Sequence, residues 1–198
     1  VEHASGVNMV SIAVGTDANG VGDLFSGFVG GTLYEYPYNA VEALNLGQGY
    51  WLRFDSDGSD TQTGEPVDDL GVFLLAGWNL IGSISEPSGI IDSAGITIPN
   101  TIYNFGCGYQ RSDTLISGKG YWIRASGSGE IVVSSTGSLT SRMTIIKPKH
   151  LNTLTFKNQF FYFGNEIEVD NPLSFSLPPK PPLGAKDIRF SGDTKLCS

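Results

Sequence analysis

Residues 118–124 read GKGYWIR, and residues 47–53, which lie 71 positions earlier, read GQGYWLR. Two further segments recur at nearly the same spacing: GVNMV at 6–10 returns as GWNLI at 77–81, and TLYEY at 32–36 returns as TIYNF at 101–105. Matched segments at a fixed period indicate an internal duplication. The sequence therefore predicts two copies of one fold, with small length changes in the loops.

The repeated GxGYW stretch predicts a turn that leads into a strand. A phosphate loop would need the pattern GxxxxGK[ST] between a strand and a helix, whereas Lys119 precedes Gly-Tyr-Trp and is replaced by Gln48 in copy one. Successive side chains of a strand point to opposite faces. Trp51 is therefore expected to share a face with Arg53, while Tyr50 points to the other face, and copy two should repeat this arrangement.

Alternating apolar and polar residues predict an all-β chain of tandem duplicated small β-domains, sandwich- or barrel-like, followed by a third β-sandwich-like domain. The predicted domains are residues 1–70, 71–136 and 137–198. Short helical turns are expected at 23–28 and 90–94. The predicted strands lie at 8–13, 33–36 and 49–54 in copy one, and at 79–84, 102–105, 120–125 and 130–134 in copy two. A strand at 71–75 is expected to close copy one and link it to copy two.

Proline marks the third predicted domain, because residues 171–185 hold five of the ten prolines in the chain. Proline has no backbone N–H to donate to a ladder, so this segment is expected to form an extended strap. Strands are predicted around the strap, at 151–156, 159–164, 173–177, 185–190 and 196–198. The domain looks incomplete, and an incomplete sheet leaves an edge that can pair with another chain.

Charge and motifs narrow the classes of function. The net charge is −8 and no Lys/Arg cluster is present, which argues against nucleic-acid binding. No run of about 20 apolar residues exists, so no membrane span is predicted. GxSxG is absent, and His3 and His150 are the only histidines, so neither a hydrolase nor a His-rich zinc site is expected. We therefore expect a protein that is not an enzyme.

Four aromatic residues are candidate ligand contacts: Trp51, Trp122, Tyr103 and Tyr109. Flat amphipathic rings can stack on sugars, but the same rings also fill the cores of small β-domains. Their recurrence in both copies favours the core.

Two other sets of residues leave alternatives open. Asp55, Asp57 and Asp60 alternate around a glycine and could bind calcium, or they could form a solvated hairpin loop. Cys107 and Cys197 could form a disulfide in an oxidising compartment, or both could be free. No other cofactor is expected.

The segments GWNLI at 77–81 and GKGYWI at 118–123 resemble the β-repeat of large secreted bacterial surface proteins, many of which end in a type IX secretion sorting domain. The tail from Leu154 to Phe190 is similar to a module that follows such repeats. The resemblance covers nearly the whole chain, although copy one departs from it at Val7 and Gln48.

The resemblance implies an extracellular or cell-surface location. We expect a structural or adhesive role, with other extracellular subunits, or the chain itself, as partners through strand addition at the incomplete edges of the third domain. The alternative is a carbohydrate-binding accessory module of a larger secreted enzyme, with glycans as ligands. We also expect the chain to be a piece of a longer protein.

Overall fold

The computed structural model describes residues 1–106, 108–137, 151–156, 159–164 and 169–197. Their regular secondary structure is almost all β-strand, with almost no helix, and the strands form several separate small sheets. The prediction of an all-β, multi-domain fold is therefore confirmed.

The strands of copy one are β1 (Glu2–His3), β2 (Gly6–Ser11), β3 (Val14–Gly15), β4 (Tyr34–Glu35), β5 (Asn39–Ala40), β6 (Gly49–Phe54), β7 (Gly58–Ser59) and β8 (Glu65–Pro66), with one short helix, α1 (Val21–Leu24). The strands that follow are β9 (Asp69–Leu74), β10 (Gly77–Ile81), β11 (Gly89–Ile91), β12 (Tyr103–Gly106), β13 (Gly108–Arg111), β14 (Tyr121–Ala125) and β15 (Gly129–Ser134). The last segment holds β16 (Asn152–Phe156), β17 (Gln159–Phe163), a 3₁₀ helix (Pro172–Phe175) and β18 (Leu196–Cys197).

The duplication is visible in two four-stranded sheets of the same order. Copy one forms β2-β6-β4-β5 and copy two forms β10-β14-β12-β13. The registers also match, because Met9 lies opposite Trp51 in one sheet and Leu80 lies opposite Trp122 in the other. The repeated GxGYW stretch thus becomes a central strand, β6 or β14, in each copy.

An asparagine side chain holds the entry to the first long strand in each copy. Asn8 accepts a hydrogen bond from the Ala4 N–H and donates to the Ala4 and Gly6 carbonyls. Asn79 makes the same three bonds, to the backbone of Leu75 and Gly77. The intervening glycine has a positive φ in both copies, 95° at Gly6 and 100° at Gly77, which explains the Gly-x-Asn motif.

The expectation that 71–75 closes copy one is wrong. β9 pairs with β15, so this strand belongs to the three-stranded sheet β11-β15-β9. In that sheet Phe73 lies opposite Glu130, as Glu2 lies opposite Ser59 in copy one. β9 is therefore the opening strand of copy two and corresponds to β1. Sequence matching missed this relation because Glu2-His3 and Phe73-Leu74 share no residue.

Three smaller predictions are also wrong. The expected helical turn at 90–94 begins as strand β11, because the β-branched Ile90 and Ile91 pair with β15. The expected strand at 173–177 begins as a 3₁₀ helix, since Asn171 caps it and Pro172 starts it. Residues 185–190 form no strand, and only Phe190 makes an isolated bridge.

Both faces of the repeated central strand are buried, each in a different core. Tyr50 and Leu52 lie in the inner core of copy one. Tyr121 and Ile123 lie in the inner core of copy two. The opposite faces, which carry the tryptophans, meet in one shared core, which we call the tryptophan core; its buried members are Met9, Trp51, Leu80, Tyr103, Phe105, Tyr109, Trp122, Phe161 and Leu177.

Within the tryptophan core, the two copies contact each other reciprocally. Trp51 packs edge-on against Phe105 of copy two, with ring centroids 5.0 Å apart. Trp122 packs edge-on against Tyr36 of copy one, with centroids 4.9 Å apart. Tyr36 and Phe105 hold equivalent positions in the duplication. The same contact is thus made twice, as in a two-fold symmetric dimer interface.

The glycine turns that precede the central strands form a second reciprocal contact. The Ser11 N–H donates to the Gly118 carbonyl and the Gly82 N–H donates to the Gly47 carbonyl, each at 2.9 Å. The backbone of one copy approaches so closely that a Cβ at position 49 would lie 2.5 Å from the Ile81 oxygen. Gly49 is therefore required by the neighbouring copy.

Replacing Gly49 with alanine should destabilise the chain, because the new Cβ would force the backbones of the two copies apart. We expect the free energy of unfolding to fall by about 2 kcal/mol or more. Urea denaturation would measure it. The control is Gly127→Ala, where a Cβ meets nothing within 4 Å. An equally small effect of both substitutions would contradict the close approach.

Candidate functional site

The proline strap, residues 171–185, crosses the tryptophan core and is held by side chains of both copies. The strap carbonyls accept these bonds. From copy two, Tyr103 donates to Ser176, Tyr109 to Pro179 and Arg111 to Ser174. From copy one, Tyr38 donates to Lys180 and Arg53 donates to Leu183. An extended proline-rich segment leaves its carbonyls free for such bonds.

A groove of about 530 Å³ lies between copy one and the strap, and we call it the Arg53 groove. This volume is within the range of small-molecule sites. Its wall is mostly apolar and aromatic. The lining residues are Val7, Thr32, Tyr34, Tyr38, Trp51, Leu52, Arg53, Lys180, Pro181, Pro182 and Leu183.

The charged residues that line the Arg53 groove are both cations, Arg53 and Lys180. Neither takes part in the ion pairs found in the described part of the chain. Burial raises the pKa of Tyr38 to about 12, so its hydroxyl stays a hydrogen-bond donor at neutral pH. The groove therefore carries positive charge in a chain whose net charge is −8.

The four aromatic residues predicted as ligand contacts do come together, but inside the tryptophan core. Each of them has 0% of its surface exposed. Trp51 also lines the Arg53 groove. Burial raises the pKa of both Tyr103 and Tyr109, and each hydroxyl donates to the strap. These residues thus hold the fold together and do not form an exposed platform.

The aspartates predicted to bind calcium serve other contacts. Asp60 accepts two hydrogen bonds from Ser26 and approaches His3 at 3.2 Å. Asp57 accepts from the Ser5 N–H, and Asp55 offers its backbone carbonyl to the same serine. Across the described ranges, no three His, Cys, Asp or Glu side chains come close enough to hold a metal ion.

The proposed disulfide involves one residue that lies outside the described residues, Cys107. Its partner, Cys197, lies at the end of β18, which pairs in parallel with β17. The pairing of Cys107 with Cys197 therefore stays a prediction.

Two further clefts lie at equivalent junctions of the copies. The first includes Glu2, His3, Asn104 and Lys119, and the Lys119 ammonium group donates to the Glu2 carbonyl. In the second, Phe73 and Leu75 stand at the positions of Glu2 and Ala4, and their side chains are 66% and 63% exposed. The frame of the copies is thus shared while the chemistry of their clefts has diverged.

A buried lysine joins the last segment to copy two. Lys195 is 5% exposed, and its ammonium nitrogen lies 4.6 Å from the centre of the Tyr103 ring. Burial, and secondly the charge of Arg111, lower the pKa of Lys195 to about 7. The backbone of Lys195 bonds to two other parts of the last segment. Its N–H donates to the Phe175 carbonyl, and its carbonyl accepts from the Tyr162 N–H.

Sequence reasoning did not identify the groove residues Arg53, Lys180 and Val7 as a site. One signal was present, because position 7 is the place where copy one has valine and copy two has Trp78. Pairing with the strap was not predictable, since Arg53 and Leu183 are 130 positions apart and share no pattern.

Comparison of the chain with protein-family models, curated proteins and solved structures finds no match. The resemblance to secreted β-repeat proteins therefore stays a prediction. Within the part of the chain that the structure describes, no helix has the length and apolar character needed to cross a membrane.

The depressed pKa of Lys195 predicts that stability rises with pH. Unfolded lysine titrates near 10.5 and the folded group near 7, so between these values the unfolded state binds more protons. The free energy of unfolding should therefore increase from pH 7 towards pH 10, by at most about 1.4 kcal/mol per unit from this one group.

Urea denaturation of the wild type and of Lys195→Met across this pH range would isolate the effect. The free energy of unfolding of the wild type, relative to that of Lys195→Met, should rise with pH. The exposed Lys186→Met is the control. A difference that stays constant with pH would show that Lys195 titrates normally.

Proposed function

We propose that the chain is a non-catalytic module of an extracellular assembly on a bacterial surface, joined to a neighbouring chain by strand addition at β16. The observation that supports this most directly is the state of that strand. β16 lies at one edge of the three-stranded sheet β16-β17-β18. All five of its residues are exposed.

The chemistry of β16 suits pairing with another strand. Its sequence, NTLTF, holds no charge, no proline and no glycine. Natural edge strands often carry charged side chains or proline to prevent association. Leu154 is 53% exposed and Phe156 is 44% exposed on the face that β17 uses to bury Phe161. A strand added at this edge would cover part of that apolar surface.

The rest of the molecule supports a spacing role. The copies contact each other through the tryptophan core, and the strap bonds to both of them. The hairpin β16–β17 is fixed to this body through Phe161 and through the Gln159 side chain, which donates to the Tyr109 carbonyl. An adhesive edge is thus held on a well-packed support.

The alternative is a carbohydrate-binding module, and all four aromatic residues predicted as its ligand contacts are buried. A glycan would have to bind at another surface of the chain.

A charge on β16 should prevent strand addition to it. We expect the wild-type protein to associate as its concentration rises, and Leu154→Lys to remain monomeric, because a cation in an added ladder is unfavourable. Sedimentation velocity over a hundredfold range of concentration would measure this.

The matched control is Leu75→Lys, which changes another exposed leucine just outside the β9 ladder. Equal association of all three proteins would place the contact elsewhere. A monomeric wild type at the highest concentration would argue against self-association by strand addition.

A further inference from the structure

The duplication provides an internal comparison for the Arg53 groove. In copy two, the ring of Trp78 lies beside a guanidinium group, with the Arg124 Cζ 5.7 Å from the ring centroid. The same ring contacts Tyr103 and Trp122, with centroid distances of 6.0 and 6.4 Å. An indole thus fills the outer end of the tryptophan face in copy two.

The equivalent residues of copy one surround the Arg53 groove. Arg53 corresponds to Arg124, Tyr34 to Tyr103, and Trp51 to Trp122 in the repeated sequence. Val7 occupies the place of Trp78, and it pairs with Arg53 as Trp78 pairs with Arg124. The frame that holds an indole in copy two is therefore present in copy one, where the smaller valine borders an open groove.

We propose that the Arg53 groove binds a small aromatic acid, a planar ring that carries a carboxylate. The aromatic part follows from copy two, where the same frame packs against an indole. A planar ring beside a guanidinium group gains both stacking and cation–π attraction.

The carboxylate follows from the charges of the groove. Arg53 and Lys180 line it, no acidic residue does, and neither cation belongs to an ion pair in the described residues. One Arg53 nitrogen, Nη2, donates to the Leu183 carbonyl at 2.7 Å. The guanidinium group has further N–H donors, which can bind a carboxylate.

The strap gives the site its second wall. Pro181 and Pro182 line the groove opposite the sheet of copy one. Tyr38 and Arg53 hold this part of the strap through the Lys180 and Leu183 carbonyls. A ligand would therefore lie between two surfaces that are already positioned, which reduces the entropy lost on binding.

Two probes of nearly identical shape test the proposal, N-acetyltryptophan with its carboxylate and N-acetyltryptophanamide without it. We expect saturable binding of the acid to the full chain by ligand-detected NMR and calorimetry. The amide should bind about tenfold more weakly, since it lacks the charge-assisted hydrogen bond. Absence of saturable binding by the acid would overturn the proposal, as would equal affinity for the acid and the amide.

Three variants locate the site. Val7→Trp places in copy one the side chain that copy two has, and it should abolish binding while the far-UV circular dichroism stays unchanged. Arg53→Gln should weaken the acid about tenfold and the amide less, since the amide loses only the contact of its ring with the guanidinium group. Arg124→Gln changes the equivalent arginine, which lies outside the groove, and should bind like the wild type. Undiminished binding by a folded Val7→Trp or by Arg53→Gln would overturn the assignment.

Discussion

The contact between each tryptophan and the aromatic ring of the other copy is the interaction on which the rest of the structure depends. Trp51 reaches Phe105, and Trp122 reaches Tyr36, in nearly the same geometry. Small β-domains bury little core when they are alone. By placing its tryptophan face against that of the other copy, each copy completes a second core that it could not form by itself, and Gly49 permits the close backbone approach that this requires.

This shared frame explains how two copies of one fold carry different surfaces. Residues that build the frame recur, including the asparagine that bonds across the entry turn and the glycines before the central strand. Residues outside it have diverged. In copy two, Trp78 packs beside Arg124 and Arg111 binds the strap, whereas in copy one the smaller Val7 borders a groove beside Arg53. The positions that differ are therefore the best guide to what this chain binds.

Much of the fold could be predicted from the sequence, because the duplication, the strand alternation and the two faces of GxGYW are local patterns. Strand alternation predicts that Trp51 and Tyr50 lie on opposite faces, and the structure confirms it. The partner of β9 could not be predicted, since a strand carries no local sign of which edge it will join. The groove was missed for a similar reason, because it forms only where the strap at Leu183 meets Arg53, and that meeting depends on tertiary structure.

The central claim is that the tryptophan core couples the two copies energetically. A double-mutant cycle on Trp51→Leu and Phe105→Leu, measured by urea denaturation, tests it most directly. Our account predicts a coupling free energy of about 0.5–1.5 kcal/mol for this aromatic pair, and about zero for Trp51 with Phe25, which lies in the inner core of copy one. A Trp51–Phe105 coupling no larger than that of the control pair would contradict it.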